Sequence, residues 1–282
     1  MLYTINTDKI SFSADTFGAE LHSLSLGGKE YLWQCGDAWK RYAPILFPFV
    51  CSPEGRAYRA DGKDYKMKAN HGFARDLEFE AAQQTHTSLS FLLRSNEETL
   101  AQYPYKFEFT VRYTASGSSV KVENMVKNTD DRDIYFYIGG HPAFNCPINR
   151  GETFEDYYIE YSHDEKIVDQ AGNVLADKGR ILDVTRKLFD NDAIIIDKPA
   201  STAVSLKSRK SSESVTVHFP EADCIAVWSP TGDDRGAFVC LEPWTSVPVY
   251  ADDEFADIEK KPHAIRLPKG EEYSYSYTIE LA

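Results

Sequence analysis

Tyr105-Lys106-Phe107-Glu108-Phe109-Thr110-Val111-Arg112-Tyr113 is the stretch that decides the fold class. Aromatic or aliphatic residues alternate strictly with polar ones. Successive side chains of a strand point to opposite faces, so this period of two predicts a strand with one buried and one wet face. The same pattern returns at Val215, Val217 and Phe219, and at Tyr273, Tyr275, Tyr277 and Ile279. Working outward, further short strands are expected at 30–33, 89–93, 120–125, 134–138, 156–161, 193–196, 202–206, 225–228 and 237–241. Turn-forming residues separate most of them: Gly27-Gly28, Ser116-Gly117-Ser118, Asn128 to Asp131 and Thr231-Gly232-Asp233. Helical signal is confined to about one turn at 97–102, limited by Pro104. The polar segment 163–186 reads as a loop-rich insertion. Many short strands and almost no helix predict an all-β protein, a large antiparallel β-sandwich, with no repeating βαβ unit.

The chain has 282 residues, 42% hydrophobic and 27% charged. That is ordinary globular composition, and a sandwich of this length can be one domain, so 1–282 is read as a single unit. The formal net charge of −13 disfavours phosphate backbones and anionic membranes, so neither nucleic acid nor membrane is an expected partner. The N-terminal MLYTINTDKISFS has no basic start followed by an apolar run, and no stretch reaches the roughly 18 apolar residues of a membrane span. A cytoplasmic location is the expectation. Cys35, Cys51, Cys146, Cys224 and Cys240 show no CxxC spacing and read as reduced thiols rather than a zinc or redox site.

Three short motifs can carry chemistry. In Asn70-His71-Gly72-Phe73-Ala74-Arg75, Gly72 allows close approach of backbone or ligand, and His71 is either a structural histidine or a ligand-facing one. In Gly139-Gly140-His141-Pro142-Ala143-Phe144, two glycines follow an apolar strand and His141 stands at its end, as a turn residue or facing a ligand. In Leu241-Glu242-Pro243-Trp244, an acid ends an apolar run. Such an acid is solvated, paired or functional, and burial would lift its pKa toward the range of a general base. Trp244 offers a flat face suited to a sugar ring, although core packing is the default for Trp39, Trp228 and Trp244. Phe189-Asp190-Asn191-Asp192 is an acidic turn before a strand.

Together the motifs are more specific. Gly18-Ala19-Glu20-Leu21, Glu30-Tyr31-Leu32-Trp33, Ala43-Pro44-Ile45-Leu46-Phe47-Pro48, His71 to Arg75, Gly140 to Asn145, Asn191-Asp192-Ala193 and Glu242 to Thr245 occur in order over nearly the whole length. In this the chain resembles the galactose mutarotase-like superfamily, and within it the LacX-type aldose 1-epimerases. The resemblance implies an antiparallel sandwich with an open sugar cleft that interconverts α and β anomers of free aldoses without cofactor or metal. It implies His141 as general acid, Glu242 as general base, His71 as a second histidine that holds and polarises the sugar, and Asp192 as a sugar-binding aspartate. Arg75 and Trp244 are further substrate-binding candidates. The pattern is broken twice. Cys51-Ser52 stands where relatives show Gly-Arg, with Arg56 a candidate replacement, and Val249 stands where relatives tend to carry Asp.

The chemistry matches these residue types. Opening a hemiacetal ring needs a proton delivered to the ring oxygen and another removed from the anomeric hydroxyl. Histidine, with an ordinary pKa of about 6.5, suits the first task and a partly buried glutamate the second. A neutral hexose is the expected substrate. Two alternatives stand beside it: a hexose 6-phosphate held by Arg75 with Arg56, Arg59 or Lys63, and a sugar-binding module without catalysis. The sequence leaves the oligomeric state open.

Overall fold

The structure is a computed structural model and describes residues 1–231, 236–252 and 257–282, with 251 and 252 as backbone only. The expected turn at Thr231-Gly232-Asp233 therefore lies mostly outside the described residues.

The strand Phe107–Ser116 forms as its alternation requires: Phe107, Phe109, Val111 and Tyr113 are buried and the residues between them are half-exposed. It lies inside a nine-stranded antiparallel sheet. The order is Val174–Asp183, Tyr157–Val168, Ala203–Ser208, Ser214–His218, Glu272–Leu281, Ser119–Asn128, Phe107–Ser116, Ser88–Arg94 and Glu80–Gln84. The register pairs Val111 with Phe91 on one side and Asn124 on the other. A second sheet runs Ile194–Asp197, Cys224–Trp228, Phe238–Trp244, Gly139–Gly140 and Ile45–Leu46, with Ala143–Asn145 also paired to Phe238–Trp244. Near the N-terminus, four strands from Leu2–Asn6 to Lys29–Glu30 make a third, smaller sheet.

The two larger sheets meet through aromatic side chains, as the inner faces of a sandwich do. Phe47, beside the Ile45–Leu46 strand, stacks on Phe109 at 4.6 Å between ring centroids and meets Phe107 edge-on at 5.1 Å. Gly140 lies against Tyr277 so closely that a Cβ there would stand 2.5 Å from the Tyr277 hydroxyl. One large apolar cluster joins these contacts to the cores beneath most other strands, and a small separate one is built on Ala143, Phe238 and Cys240. This is the all-β sandwich expected.

Two expectations need correction. The segment 163–186 is not loop-rich. It forms most of a long hairpin between Tyr157–Val168 and Val174–Asp183, with register shifts along it. Its polarity misled because the outer strand is exposed along nearly all of its length and needs no apolar alternation. Glu242 does not end its strand; Phe238–Trp244 continues through it, with Ala226 opposite Glu242. The short helix does form, as Glu97–Leu100, with Asn96 and Thr99 capping each other. All five cysteines are free. Among the described residues no helix is long and apolar enough to cross a membrane.

Candidate active site

An open cavity of about 490 Å³ lies at the second sheet. Among the described residues its walls are Trp39, Ala193, Ile195, Trp228, Trp244 and Tyr250, and its polar lining is Cys51, Ser52, Asn70, His71, Arg75, His141, Asp192 and Glu242. Six of the seven candidates from the sequence thus converge on one space.

Local structure explains each position. Gly72 has φ +76°, and a Cβ there would sit 2.1 Å from the Phe47 carbonyl oxygen, so only glycine fits. The chain then reverses. Phe73 and Ala74 donate their N–H groups to that same carbonyl at 3.0 and 3.1 Å, and the Ala74–Asp76 turn aims Arg75 inward. His71 and Cys51 both adopt positive φ, 61° and 58°. Such strain persists only where surrounding contacts enforce it. Here the His71 N–H donates to the Cys51 carbonyl at 2.9 Å, and the Cys51 N–H donates to His71 Nδ1 at 3.0 Å. With Nδ1 accepting and burial holding its pKa well below the ordinary value, with the His141 charge a lesser cause, His71 is neutral and carries its hydrogen on Nε2.

His141 sits between Gly139–Gly140 and Ala143–Asn145, and its N–H donates to the Pro44 carbonyl at 3.0 Å. The glycines before it do not clear room for a ligand; Trp244 and Tyr277 fill that room, each 2.5 Å from where a Cβ would stand. The His141 ring stacks on Trp39 at 5.0 Å and meets Trp228 and His71 edge-on at 5.8 and 5.4 Å. The chain just after Trp39 is held by the buried Glu20 carboxylate, which accepts the Tyr42 and Ala43 N–H groups at 2.7 and 2.9 Å. The Trp33 indole N–H also donates to the Trp39 carbonyl at 3.0 Å. Three tryptophans given to the core by default therefore wall the cavity.

Glu242 is 1% exposed. Its Oε2 lies 3.1 Å from His141 Nε2, without the alignment of a full hydrogen bond. Burial raises the Glu242 pKa well above the ordinary range, and the Asp192 charge adds to this. The Trp244 indole N–H opposes the shift weakly, and its geometry too falls short of a hydrogen bond. Burial, helped by the Arg75 charge, drives His141 down to about 3. Both directions favour the neutral forms. Arg75 is desolvated, and its Nε makes no hydrogen bond, only a 3.9 Å ion pair with Asp76. Asp192, at φ 72°, ends a turn after Arg186–Phe189, which Thr185 caps through the Leu188 N–H.

Arg56 is not in the cavity lining. It is exposed, at φ 60°, and its guanidinium bonds the Lys68 carbonyl. It does not replace an arginine missing at Cys51-Ser52. Arg59 and Lys63 are also exposed and outside the lining. Val249 is fully buried, with its N–H on the Val50 carbonyl at 3.0 Å, and serves packing. Sequence reasoning missed Asn70, Ile195 and Tyr250. Asn70, next to His71, was the most accessible of these by position. His141, Glu242 and Cys240 each bring one possible ligand atom within 4.8 Å of the others. A metal there would engage the lone pairs of His141 and Glu242 and leave neither free to accept a proton.

The antiparallel sandwich thus carries a tryptophan-walled cavity over a buried His141–Glu242 pair, a site whose aromatic and polar lining suits a carbohydrate. The aldose 1-epimerase family model matches residues 1–280, and the chain belongs to that family. It is 32% identical over 301 residues to the plasmid-borne protein LacX of Lactococcus lactis subsp. lactis, covering 100% of this chain and 99% of that one. Among solved structures it is similar to a galactose mutarotase related enzyme from Lactobacillus acidophilus, with a TM-score of 0.90, 31% identity, and coverage of 100% and 97% of the two chains. A galactose mutarotase-like protein from Lactobacillus casei ATCC 334 gives a TM-score of 0.89 at 28% identity, with both chains fully covered. A sugar epimerase or mutarotase role follows from the family.

Proposed function

We propose that this chain, acting as one domain, catalyses mutarotation of a free, neutral aldohexose, with Glu242 as general base and His141 as general acid. The observation that carries this is the buried pair with 3.1 Å between His141 Nε2 and Glu242 Oε2 at the cavity. Its neutral and ionic forms differ only in which member holds one proton. In the ionic form, Glu242 takes the anomeric hydroxyl proton while His141 protonates the ring oxygen. The C1–ring oxygen bond breaks and a C1 aldehyde forms. Rotation about C1–C2 and the reverse transfers close the ring on the other face. The pair ends as it began, so no proton is drawn from water. His71 Nε2–H donates to a sugar oxygen, Arg75 and Asp192 bind hydroxyls, and the tryptophans face the apolar side of the ring.

Arg75 is the only arginine or lysine among the described lining residues, which also include Asp192 and Glu242, and this supports a neutral sugar over a phosphorylated one. The test is polarimetry of freshly dissolved α-D-glucose and α-D-galactose with wild type and with His141→Ala. Acceleration by wild type and its loss in a folded variant is expected. Unchanged rates for both sugars and for glucose 6-phosphate, with saturable sugar binding, would leave a binding module instead.

A further inference from the structure

Phe238, Cys240 and Glu242 share one face of their strand, because alternate residues of a strand point the same way. Cys240 lies opposite Trp228 in the register. Its side chain packs with Ala143 and Phe238, next to Trp39 and Trp228. Mutarotation gives this thiol no task. Yet it stands with the reacting groups: Cys240, His141 and Glu242 each bring one ligand atom within 4.8 Å of the other two. All three residues are buried, and His141 Nδ1 and Glu242 Oε2 make no hydrogen bond. Buried polar atoms are normally satisfied, so both residues keep capacity for a ligand. His141 and Glu242 also line the open cavity, which gives an ion a way in and leaves one coordination position for water.

The donor set selects the ion. A thiolate sulfur, an imidazole nitrogen and a carboxylate oxygen are the ligands zinc takes, with bonds of about 2.0–2.3 Å in a tetrahedron. Such bonds set ligand atoms roughly 3.3–3.8 Å apart. Here His141 Nε2 and Glu242 Oε2 are 3.1 Å apart, and no separation within the trio exceeds 4.8 Å. Small side-chain rotations close the difference. Magnesium and calcium favour all-oxygen sites and do not suit a thiol and an imidazole. We propose that Cys240, His141 and Glu242 form an inhibitory zinc site. The bound ion occupies the lone pairs of His141 and Glu242, the Cys240 thiol releases its proton to solvent on ligation, and sugar turnover stops until the ion leaves. The site stands on the geometry of the trio; its inhibitory effect rests on the mutarotase reading above.

The test loads the metal-free protein with Co2+ as a spectroscopic stand-in for zinc. In parallel, mutarotation of α-D-glucose and α-D-galactose is followed by polarimetry against buffered free Zn2+. Wild type is compared with Cys240→Ala and Cys240→Ser. Cobalt should give the visible bands of a tetrahedral site and a thiolate-to-cobalt charge-transfer band, and the charge-transfer band should vanish in both variants. Free Zn2+ should inhibit wild type, and chelation should restore the rate. The half-inhibiting concentration should rise about tenfold or more in the variants, while their zinc-free rates stay within about threefold of wild type. Cys240→Ser serves if Cys240→Ala does not fold. A charge-transfer band absent from wild type, or persisting in the variants, overturns the site. Equal zinc inhibition of wild type and variants also overturns the inference and leaves the mutarotase reading standing. Cobalt held by the Cys240 thiolate in a protein that accelerates no sugar keeps the site and overturns the mutarotase reading.

Discussion

Glu242→Gln isolates the proposed base. The substitution keeps shape and volume, and replaces one carboxylate oxygen by an amide nitrogen next to His141 Nε2, 3.1 Å away in the wild type. The variant cannot accept the anomeric proton. A positioned general base is worth about 10²–10⁴-fold, so kcat should fall by that factor, or about 2.7–5.4 kcal/mol of barrier. Folding should not suffer, because the site already disfavours the charged carboxylate. Linkage gives the sign. The folded-state pKa of Glu242 is raised, so its favourable contribution is complete below the unfolded value of about 4.3 and is lost as pH rises through the folded pKa. Glutamine has no such loss. The melting temperature of the variant minus that of wild type should therefore grow as pH increases above about 4.3. Polarimetry gives kcat, and thermal melts across pH give the difference curve. A folded variant retaining kcat within about threefold of wild type would refute the assignment of Glu242 as base. A melting difference flat in pH would refute the raised pKa separately.

His141 titrates in the opposite sense: its folded pKa is depressed to about 3, so its contribution is present above the unfolded value of about 6.5 and is lost as pH falls through 3. The melting gap between wild type and His141→Asn should narrow from pH 7.5 to 4, and parallel curves would exclude the shift. Gly72→Ala forces a left-handed φ and a clash with the Phe47 carbonyl; melting should drop by the equivalent of about 1–3 kcal/mol or more, with mutarotation falling too because His71 is displaced. Phe47→Ala removes the ring that stacks between the sheets and should destabilise by about 3–5 kcal/mol in denaturant titration. Arg75→Lys replaces a fork of donors by a point charge and should raise KM more than it lowers kcat, as steady-state polarimetry would show.

The strands at 107–116 and 272–281 were legible because one face of each meets the core and the other meets solvent or side neighbours. The 157–183 hairpin was not, because its outer strand touches water along both faces and carries no period. At the site, His71, His141 and Glu242 could be named from motifs, but their convergence depends on long-range pairing. Glu242 meets His141 only because Ala143–Asn145 and Gly139–Gly140 both pair with Phe238–Trp244. Trp39 comes from a loop fixed by Glu20 and Trp33, and nothing in its neighbouring residues signals that its ring reaches His141. Arg56 failed for the converse reason: closeness in sequence to Cys51-Ser52 does not bring it into the cavity.

The chain has four tryptophans. Trp39, Trp228 and Trp244 wall the cavity, and Trp33 packs on Phe238 beside them. None lies in the nine-stranded sheet. Intrinsic emission excited at the indole band therefore reads the pocket region alone, while far-ultraviolet circular dichroism is dominated by the large sheet. Sugar titrations can be followed without a label. Melts recorded by the two signals will coincide only where pocket and sheet unfold as one cooperative unit.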